Sequence, residues 1–591
     1  MIAARFDDLG AGGRSFELRS PVAIVEARRP DEVVDALASV EASTGRGYWA
    51  AGFLAYEAAP ALDPAFAVRA RAARDPFADL PLAWFALFED AADASLPNDA
   101  SSGSPPPLDT WAPSIDRGRY DDSIARIRDR IGAGDVYQIN YTLRLRAALA
   151  GDERGLYRDL CLAQRGSYAA YLNAGRYRIL SASPELFFRL DGDRVTTRPM
   201  KGTAPRGRWT EEDDAAARRL RSSEKDRAEN AMIVDLLRND LGRISVPGSV
   251  ETPAMFEAER YETVWQLTST VTSRLRADAG LVDVVRAAFP SGSVTGAPKI
   301  RSSELIAELE DSPRGVYTGA VGYVAPSGSG GPRARFNVAI RTVVLDSTTG
   351  LAEYGVGGGI TTDSSAEAEY DEVTAKARVL TLRRPPFELL ETVRHDPGDG
   401  FRDLARHLER MAASARYFDF RFDAAAVVEA LEKAVAPEDG PVAARVALAR
   451  DGAVTAELRP LDPAASREPV RVALDVPSVD PRDPMAYHKT TLRAPFEAAA
   501  ARHLGADDVL LMNVRGELTE STVASLAVRL GGRWWTPPLD AGLLPGVGRA
   551  RAIADGTVGE RPIHPDDLEG AEAIALISSV RGWRRAAVAE G

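Results

Sequence analysis

Apolar positions along the first 380 residues switch between a spacing of two and a spacing of three to four. Alternation over residues 135–145 (DVYQINYTLRL), 168–172, 178–181 and 186–190 predicts strands, as do the runs 21–26 (PVAIVE) and 47–57 (GYWAAGFLAYE). Helical spacing covers 31–40, 120–132 and 224–241; the last, EKDRAENAMIVDLLRNDL, lacks Pro and Gly and is expected to stop at Gly242. Residues 91–113, rich in Ser, Pro, Asp and Ala, read as a surface loop. Strands are expected at 243–246, 250–251 and 256–260, then a helix near 263–275 and another after Gly296-Ala297-Pro298. Strands at 316–324, 335–344 and 354–359 and a charged helix over 364–378 complete an α+β unit with no internal repeat.

Beyond the proline pair in 383–387 (RRPPF) a second pattern begins. Leu404–Phe418 is amphipathic, with Leu404, Leu408, Met411 and Ala415 on one face. Strands are expected at 442–449, 470–476, 509–514, 523–530 and 574–578, with a glycine-bearing turn at 543–548 leading into a helix at 549–554. Two domains follow, 1–385 and 386–591.

Composition narrows the partners. Of 591 residues 27% are charged, and the net charge of −13 without a basic tract argues against nucleic acid and anionic membranes. An anionic substrate must then be met by local Arg and Lys. The single cysteine, Cys161, excludes an internal disulfide, and five scattered histidines argue against a zinc site. The N-terminus has Asp7 and Asp8 and no apolar core, and no run of 18 apolar residues spans a bilayer, so a cytoplasmic protein is expected.

The candidate chemistry begins at residues 198–207, RPMKGTAPRG. Pro and Gly predict a rigid, shaped loop around Lys201, bracketed by Arg198 and Arg206. A shielded lysine among cations has its ammonium form disfavoured and becomes a candidate amine nucleophile, although ten residues alone favour a solvated basic turn. Asp226 and Glu229 stand three apart on the predicted helix, as do Glu369 and Glu372 after the glycines 357–359. A Gly-rich turn opening a helix offers NH groups to an anion, and carboxylates on two helices can hold Mg²⁺; two solvated acidic faces are the commoner meaning.

Taken in order, SASPELFF (181–188), RPMKGTAPRG, residues 224–243, PSGSVTGAPK (290–299), FNVAIRT (336–342) and GVGGGITTDSSAEAEYDE (355–372) resemble the chorismate-utilising enzymes, with GDVYQINYT (134–142) fitting upstream. That family makes anthranilate, isochorismate, salicylate and aminodeoxychorismate, and the resemblance implies a β-sandwich/helix fold over most of 1–380. Lys201 stands where anthranilate-forming members carry a small residue, which implies the aminodeoxychorismate branch and covalent chemistry. Lys201 would attack C2 of chorismate while Glu185 protonates the leaving C4 oxygen. Glu229 and Glu372, with Glu369 nearby, would hold Mg²⁺; Lys299, Arg341, Gly357, Gly358 and Gly359 would bind carboxylate oxygens. Ammonia would come from a separate glutamine amidotransferase, because Cys161 lies in a helical context without a nucleophile elbow.

In the second domain HLERM (407–411), YHKTT (487–491), GELTES (516–521) and GLLPGVGR (542–549) follow in an order and spacing that resemble the class IV pyridoxal-phosphate enzymes, which implies an α/β fold. By that resemblance Lys489 forms the Schiff base, Glu520 partners the pyridine nitrogen, and Arg410, Val547, Gly548 and Ser579 hold the phosphate, with Thr392 and Arg394 at the substrate. Ser525 and Ser578 stand where the family has Asn. The fusion implies amination of chorismate followed by pyruvate elimination to 4-aminobenzoate, for folate synthesis, and a homodimer through the C-terminal half. The competing readings are an anthranilate-forming first domain beside a transaminase, and a catalytically decayed docking domain.

Overall fold

The computed structural model describes the chain except residues 1, 11–12, 74, 96, 98–109, 150, 329–332, 383–384, 437–439, 462–468 and 590–591. Most of the expected loop at 91–113 therefore lies outside the described residues; its described ends form short strands, Ala92–Ala94 and Ala112–Pro113. Two compact units are present. One comprises Met1–Pro205 with Ala217–Arg384, the other Pro385–Gly591 with Arg206–Ala216. The expected division near 385 thus leaves out one segment, Arg206–Ala216, which belongs with the second unit.

The first unit is built from two antiparallel sheets of ten strands each. One carries Gln138–Ala148 beside Leu351–Ile360; the other carries Met200–Pro205 at its edge beside Val264–Arg274. Their inner faces share an apolar layer of Phe6, Phe16, Phe53, Trp84, Tyr177 and Tyr323, alternate residues of strands from both sheets. Helices Pro30–Gly45, Glu224–Gly242 and Leu281–Ala288 cover the outer face of the second sheet. Helices Arg117–Gly132, Glu153–Gln164, Lys299–Leu309 and Ala366–Ala377 cover that of the first.

Three local expectations are corrected. Residues 263–275 are not a helix but the strand Val264–Arg274, paired on both sides. Its Thr and Val side chains lose rotamer freedom in a helix and suit a pleated sheet, which outweighs the apolar spacing. The short strands near 250–260 are one bulged strand, Glu251–Arg260, while 243–246 contributes only an isolated bridge at Ser245. Gly242 lies inside the last turn of its helix instead of stopping it, and Arg243 is the C-cap.

The second unit has a four-stranded antiparallel sheet, including Leu389–Asp396 and Val442–Leu448, packed against helices Leu404–Phe418 and Ala424–Val435. Its eight-stranded sheet is mixed, with Val470–Val479 parallel to both neighbours. Glu520 pairs with Ser525, and that pairing closes six of the eight strands into a ring. Glycine-led Val547–Ala554 packs as a helix against the strand Ala573–Ser578 of this ring.

Candidate functional site

Lys201 lies not in a loop but on the strand Met200–Pro205, which is bulged where it meets Val264–Arg274. Its side chain enters a cavity of about 300 Å³, bordered also by Glu185, Ser293, Glu229, Arg341 and Glu372. Part of the residue faces the cavity while its ammonium is enclosed by protein. A Cβ on Gly359 would lie 2.2 Å from the Lys201 Nζ, so only glycine lets the lysine reach this depth. The expected cationic bracket is absent: Arg198 is paired with Glu257 and Glu259, and Arg206 with Asp213. Burial instead lowers the Lys201 pKa; Glu229 opposes this and Lys376 adds to it.

Glu185 is almost fully buried just before the strand Leu186–Asp191, and burial pushes its carboxyl up to about 7. Ser293 restrains that rise by donating to Glu185 Oε1 at 2.6 Å. The turn that carries Ser293 is fixed from below. Arg314 donates to the carbonyls of Val294 and Asn140, both at 2.7 Å, while its guanidinium is ion-paired with Glu310. The cavity therefore holds a lysine whose ammonium form burial disfavours and a protonatable acid together, the pairing that amine attack with acid-assisted departure uses.

The acidic residues border the same space. Burial raises the Glu229 and Glu369 carboxyls, whereas Glu372, 2.7 Å from Lys376, is lowered: burial pushes it up, but Lys376, together with Lys201 and Lys225, outweighs that push. Glu369 Oε2 and Glu372 Oε1 lie 3.0 and 3.8 Å from the point a Gly358 Cβ would occupy. Hard carboxylate oxygens suit Mg²⁺. Among the described residues, however, no cluster of three acid, His or Cys side chains closes on one point, and Lys376 supplies the positive charge.

The glycines 357–359 are strand interior in Leu351–Ile360, not a turn opening a helix, so they offer no helix N-terminus to an anion. Gly357 and Gly359 border the cavity and Gly358 does not. Lys299 is also displaced from its expected role. It points away from the cavity and bonds Asp240 at 2.7 Å and the Ala288 and Pro290 carbonyls, which makes it a brace. Arg341 does border the cavity, bonded to Gln164 and held in the left-handed region at φ +49°. Ser293 and Lys376 were not found from sequence; the spacing SGS and the Glu372–Lys376 step of four were the available signals.

In the second unit a cavity of about 550 Å³ is bordered by Lys489, Arg410, Glu520, Thr392, Gly548 and Ser579. Burial and then Arg410 bring Lys489 down to about 8, and burial takes Glu520 up to about 7 although Leu544 N donates to it at 3.2 Å. Arg410 is aimed by Glu391, with two bonds of 2.7 Å, and by the Pro545 carbonyl. A Cβ on Gly548 would fall 2.8 Å from the Ser578 backbone and 3.0 Å from Ser579 N, so the helix N-terminus meets the Ser578-Ser579 strand end only through glycine. An anion cradle, a poised lysine and a buried acid fit pyridoxal phosphate. Ser525 and Ser578 both border the cavity, Ser525 Oγ facing Gly546. Arg394 does not border it; Asp396 holds it at 2.7 Å. Sequence reasoning missed Arg445, Arg459, Arg493, Arg581 and Arg584, all at the cavity wall. Arg445 and Arg459 share the single carboxylate of Glu457, which leaves the wall positive.

Among the described residues no helix is long and apolar enough to cross a membrane. Residues 14–382 match the chorismate binding enzymes and 388–588 the class IV amino-transferases. The chain is 42% identical over 266 residues to aminodeoxychorismate synthase component 1 of Salmonella typhimurium, covering 45% of this chain and 57% of that protein. It is 41% identical over 271 residues to anthranilate synthase component 1 of Streptomyces coelicolor, covering 46% and 52%. The chain thus spans about half the length of these relatives, and identity alone does not separate the two activities. The crystal structure of anthranilate synthase component I from Streptococcus pneumoniae TIGR4 superposes with a TM-score of 0.53 at 28% identity, over 63% of this chain and 93% of that one. The chain belongs to the chorismate binding enzyme family and continues into a class IV amino-transferase domain.

Proposed function

We propose that the two cavities act in sequence to make 4-aminobenzoate from chorismate and ammonia. The observation that carries the first step is a buried lysine, lowered in pKa, in one cavity with a carboxyl raised to about 7. Lys201 Nζ bonds to C2 of chorismate as the C4–O bond breaks, and Glu185 gives its proton to the departing hydroxide, which leaves as water. Ammonia bonds to C4 and the C2–N bond to Lys201 breaks, giving 4-amino-4-deoxychorismate and the free lysine. Arg341 and the strand at Gly357 and Gly359 face the substrate carboxylates. Glu229, Glu369 and Glu372 do not close on one point by themselves, so Mg²⁺ would be held there only together with the substrate's ring carboxylate, to which it would supply positive charge.

Pyridoxal phosphate in the second cavity would supply an electron sink for a carbanion at the amino-bearing carbon. Arg410, Val547, Gly548 and Ser579 would hold its phosphate and Glu520 its ring nitrogen. Lys489 would remove the C4 proton and carry it to the enolpyruvyl methylene, so that the ring C–O bond breaks, pyruvate departs and the ring aromatises. The positive wall of Arg445 and Arg459 favours a substrate with two carboxylates over a branched-chain amino acid. Ammonia comes from a separate glutamine amidotransferase: Cys161 is buried and burial pushes its thiol up, away from nucleophilic use. The second domain is proposed to form a homodimer.

The test incubates the pure protein with chorismate, an ammonium salt, Mg²⁺ and pyridoxal phosphate and identifies the aromatic product. 4-Aminobenzoate with pyruvate is expected. Anthranilate would overturn the first step, and accumulating aminodeoxychorismate the second. Lys201→Ala should abolish chorismate amination while leaving Mg²⁺ binding unchanged.

A further inference from the structure

Residues Arg206–Ala216 fall inside the chorismate-binding match yet pack as part of the second unit. Within that unit the segment is built in. Arg206 and Asp213 form a two-bond ion pair at 2.7 and 2.8 Å with both side chains nearly inaccessible. Arg206 Nη2 also donates to the Tyr417 carbonyl at 2.9 Å, and Tyr417 Oη donates to the Gly207 carbonyl at 2.7 Å. A buried ion pair is tolerated only where good geometry and further hydrogen bonds offset its desolvation, and a loop merely resting on the surface does not supply them. Next along the chain, Arg208 pairs with Asp540 at 2.8 Å, and the Trp209 ring lies 5.0 Å from the ring of Tyr487.

These contacts fall on the two elements that aim the lysine cavity. Tyr487 is buried two residues before Lys489. Tyr417 lies on Leu404–Phe418, the helix that carries Arg410, and Thr210 Oγ1 bonds the Ala413 carbonyl of the same helix at 3.0 Å. His488 sits between them, its ring 4.5 Å from that of Tyr417 and its Nδ1 2.9 Å from Ser414 Oγ.

We propose that Trp209 and Arg208 are positioning residues for the lysine cavity of the second unit, fixing Tyr487 and through it the direction in which Lys489 enters. The class IV domain is then incomplete without residues that the family match assigns to the other domain. This inference rests on reading the cavity as a pyridoxal phosphate site.

The test uses the full chain loaded with pyridoxal phosphate. It follows the pH midpoint of the cofactor's visible absorbance and the rate of cofactor release on dilution. Trp209→Ala should move the midpoint and speed release between about twofold and tenfold, the range an aromatic pair supports. Trp209→Phe should stay within about twofold of wild type. Arg208→Gln, which keeps the ring contact, should shift both readouts in the same direction. Thermal unfolding of each variant separates local from global effects; if Trp209→Ala does not fold, Arg208→Gln decides. Folded variants with wild-type midpoint and release rate would refute the inference alone. A wild-type chain that holds no pyridoxal phosphate would overturn both the inference and the reading it rests on.

Discussion

The sharpest test of the first cavity is removal of one hydroxyl, Ser293→Ala. Ser293 Oγ donates to Glu185 Oε1 at 2.6 Å and lies 3.0 Å from Ser291 Oγ. The carboxyl is 3% exposed and already raised to about 7 by burial. A hydrogen bond to a charged acceptor is worth about 1.5–3 kcal/mol, and about 1.4 kcal/mol moves a pKa by one. The bond stabilises the carboxylate more than the acid, so its loss disfavours the charged form. The Glu185 pKa should therefore rise by about one to two in Ser293→Ala. Infrared titration of the protonated carboxyl stretch reports this directly, with the Glu185 band identified by its loss in Glu185→Gln. Ser293→Thr keeps the donor and should titrate as wild type. A midpoint that stays put or falls in Ser293→Ala would show that Ser293 does not hold the carboxylate.

Three further outcomes are expected. Lys376→Met removes a cation that lowers the Lys201 pKa, so labelling of Lys201 by an amine reagent, quantified by mass spectrometry, should shift to higher pH. Arg445→Ala should raise KM for the aminodeoxychorismate substrate about tenfold, with pyridoxal phosphate loading unchanged. Glu391 is held down at about 2 because Arg410 and His407 outweigh its burial. Its folded value lies below the ordinary carboxylate range, so its contribution is present above about pH 4.5 and lost as pH falls toward 2, about 3 kcal/mol in all. Urea midpoints between pH 6 and 3 should fall more steeply in wild type than in Glu391→Gln.

What the sequence made legible was chemistry fixed by spacing along one element. Lys201 on the strand Met200–Pro205, Glu185 at the start of Leu186–Asp191, Glu520 on Leu518–Ser521 and Lys489 just after the short helix Pro484–Tyr487 all border the cavities in which the order of the motifs had grouped them. What it concealed depends on partners far along the chain. Lys299 looks like a cavity cation until Asp240, 59 residues away, binds it. Arg394 shares a strand with Thr392, yet Asp396 two residues on turns it aside. Residues 357–359 spell a turn by composition, but Tyr141, Thr142 and Gln138 crowd the places their side chains would need, and the glycines are strand interior. Arg206–Ala216 gives no sign in its own residues that its partners are Tyr417 and Tyr487.

Both cavities apply one physical device to a lysine and a glutamic acid. Desolvation disfavours either charge, and it exceeds the attraction the pair would gain by ionising together. The surroundings then diverge. In the first cavity Lys201 faces Asp226, Glu229, Glu369 and Glu372, with Lys225, Lys376 and Arg341 as counter-charges, so negative charge brought by a substrate carboxylate would pull the lysine back toward its ammonium form unless those cations meet it. In the second, burial with Arg410 and Arg493 lowers the Lys489 pKa, so an entering anion that offsets the arginines favours the ammonium form there as well. Lys376, which belongs to none of the expected contacts, lies 2.7 Å from both Glu372 and the Gly357 carbonyl, where it meets part of the first cavity's negative charge.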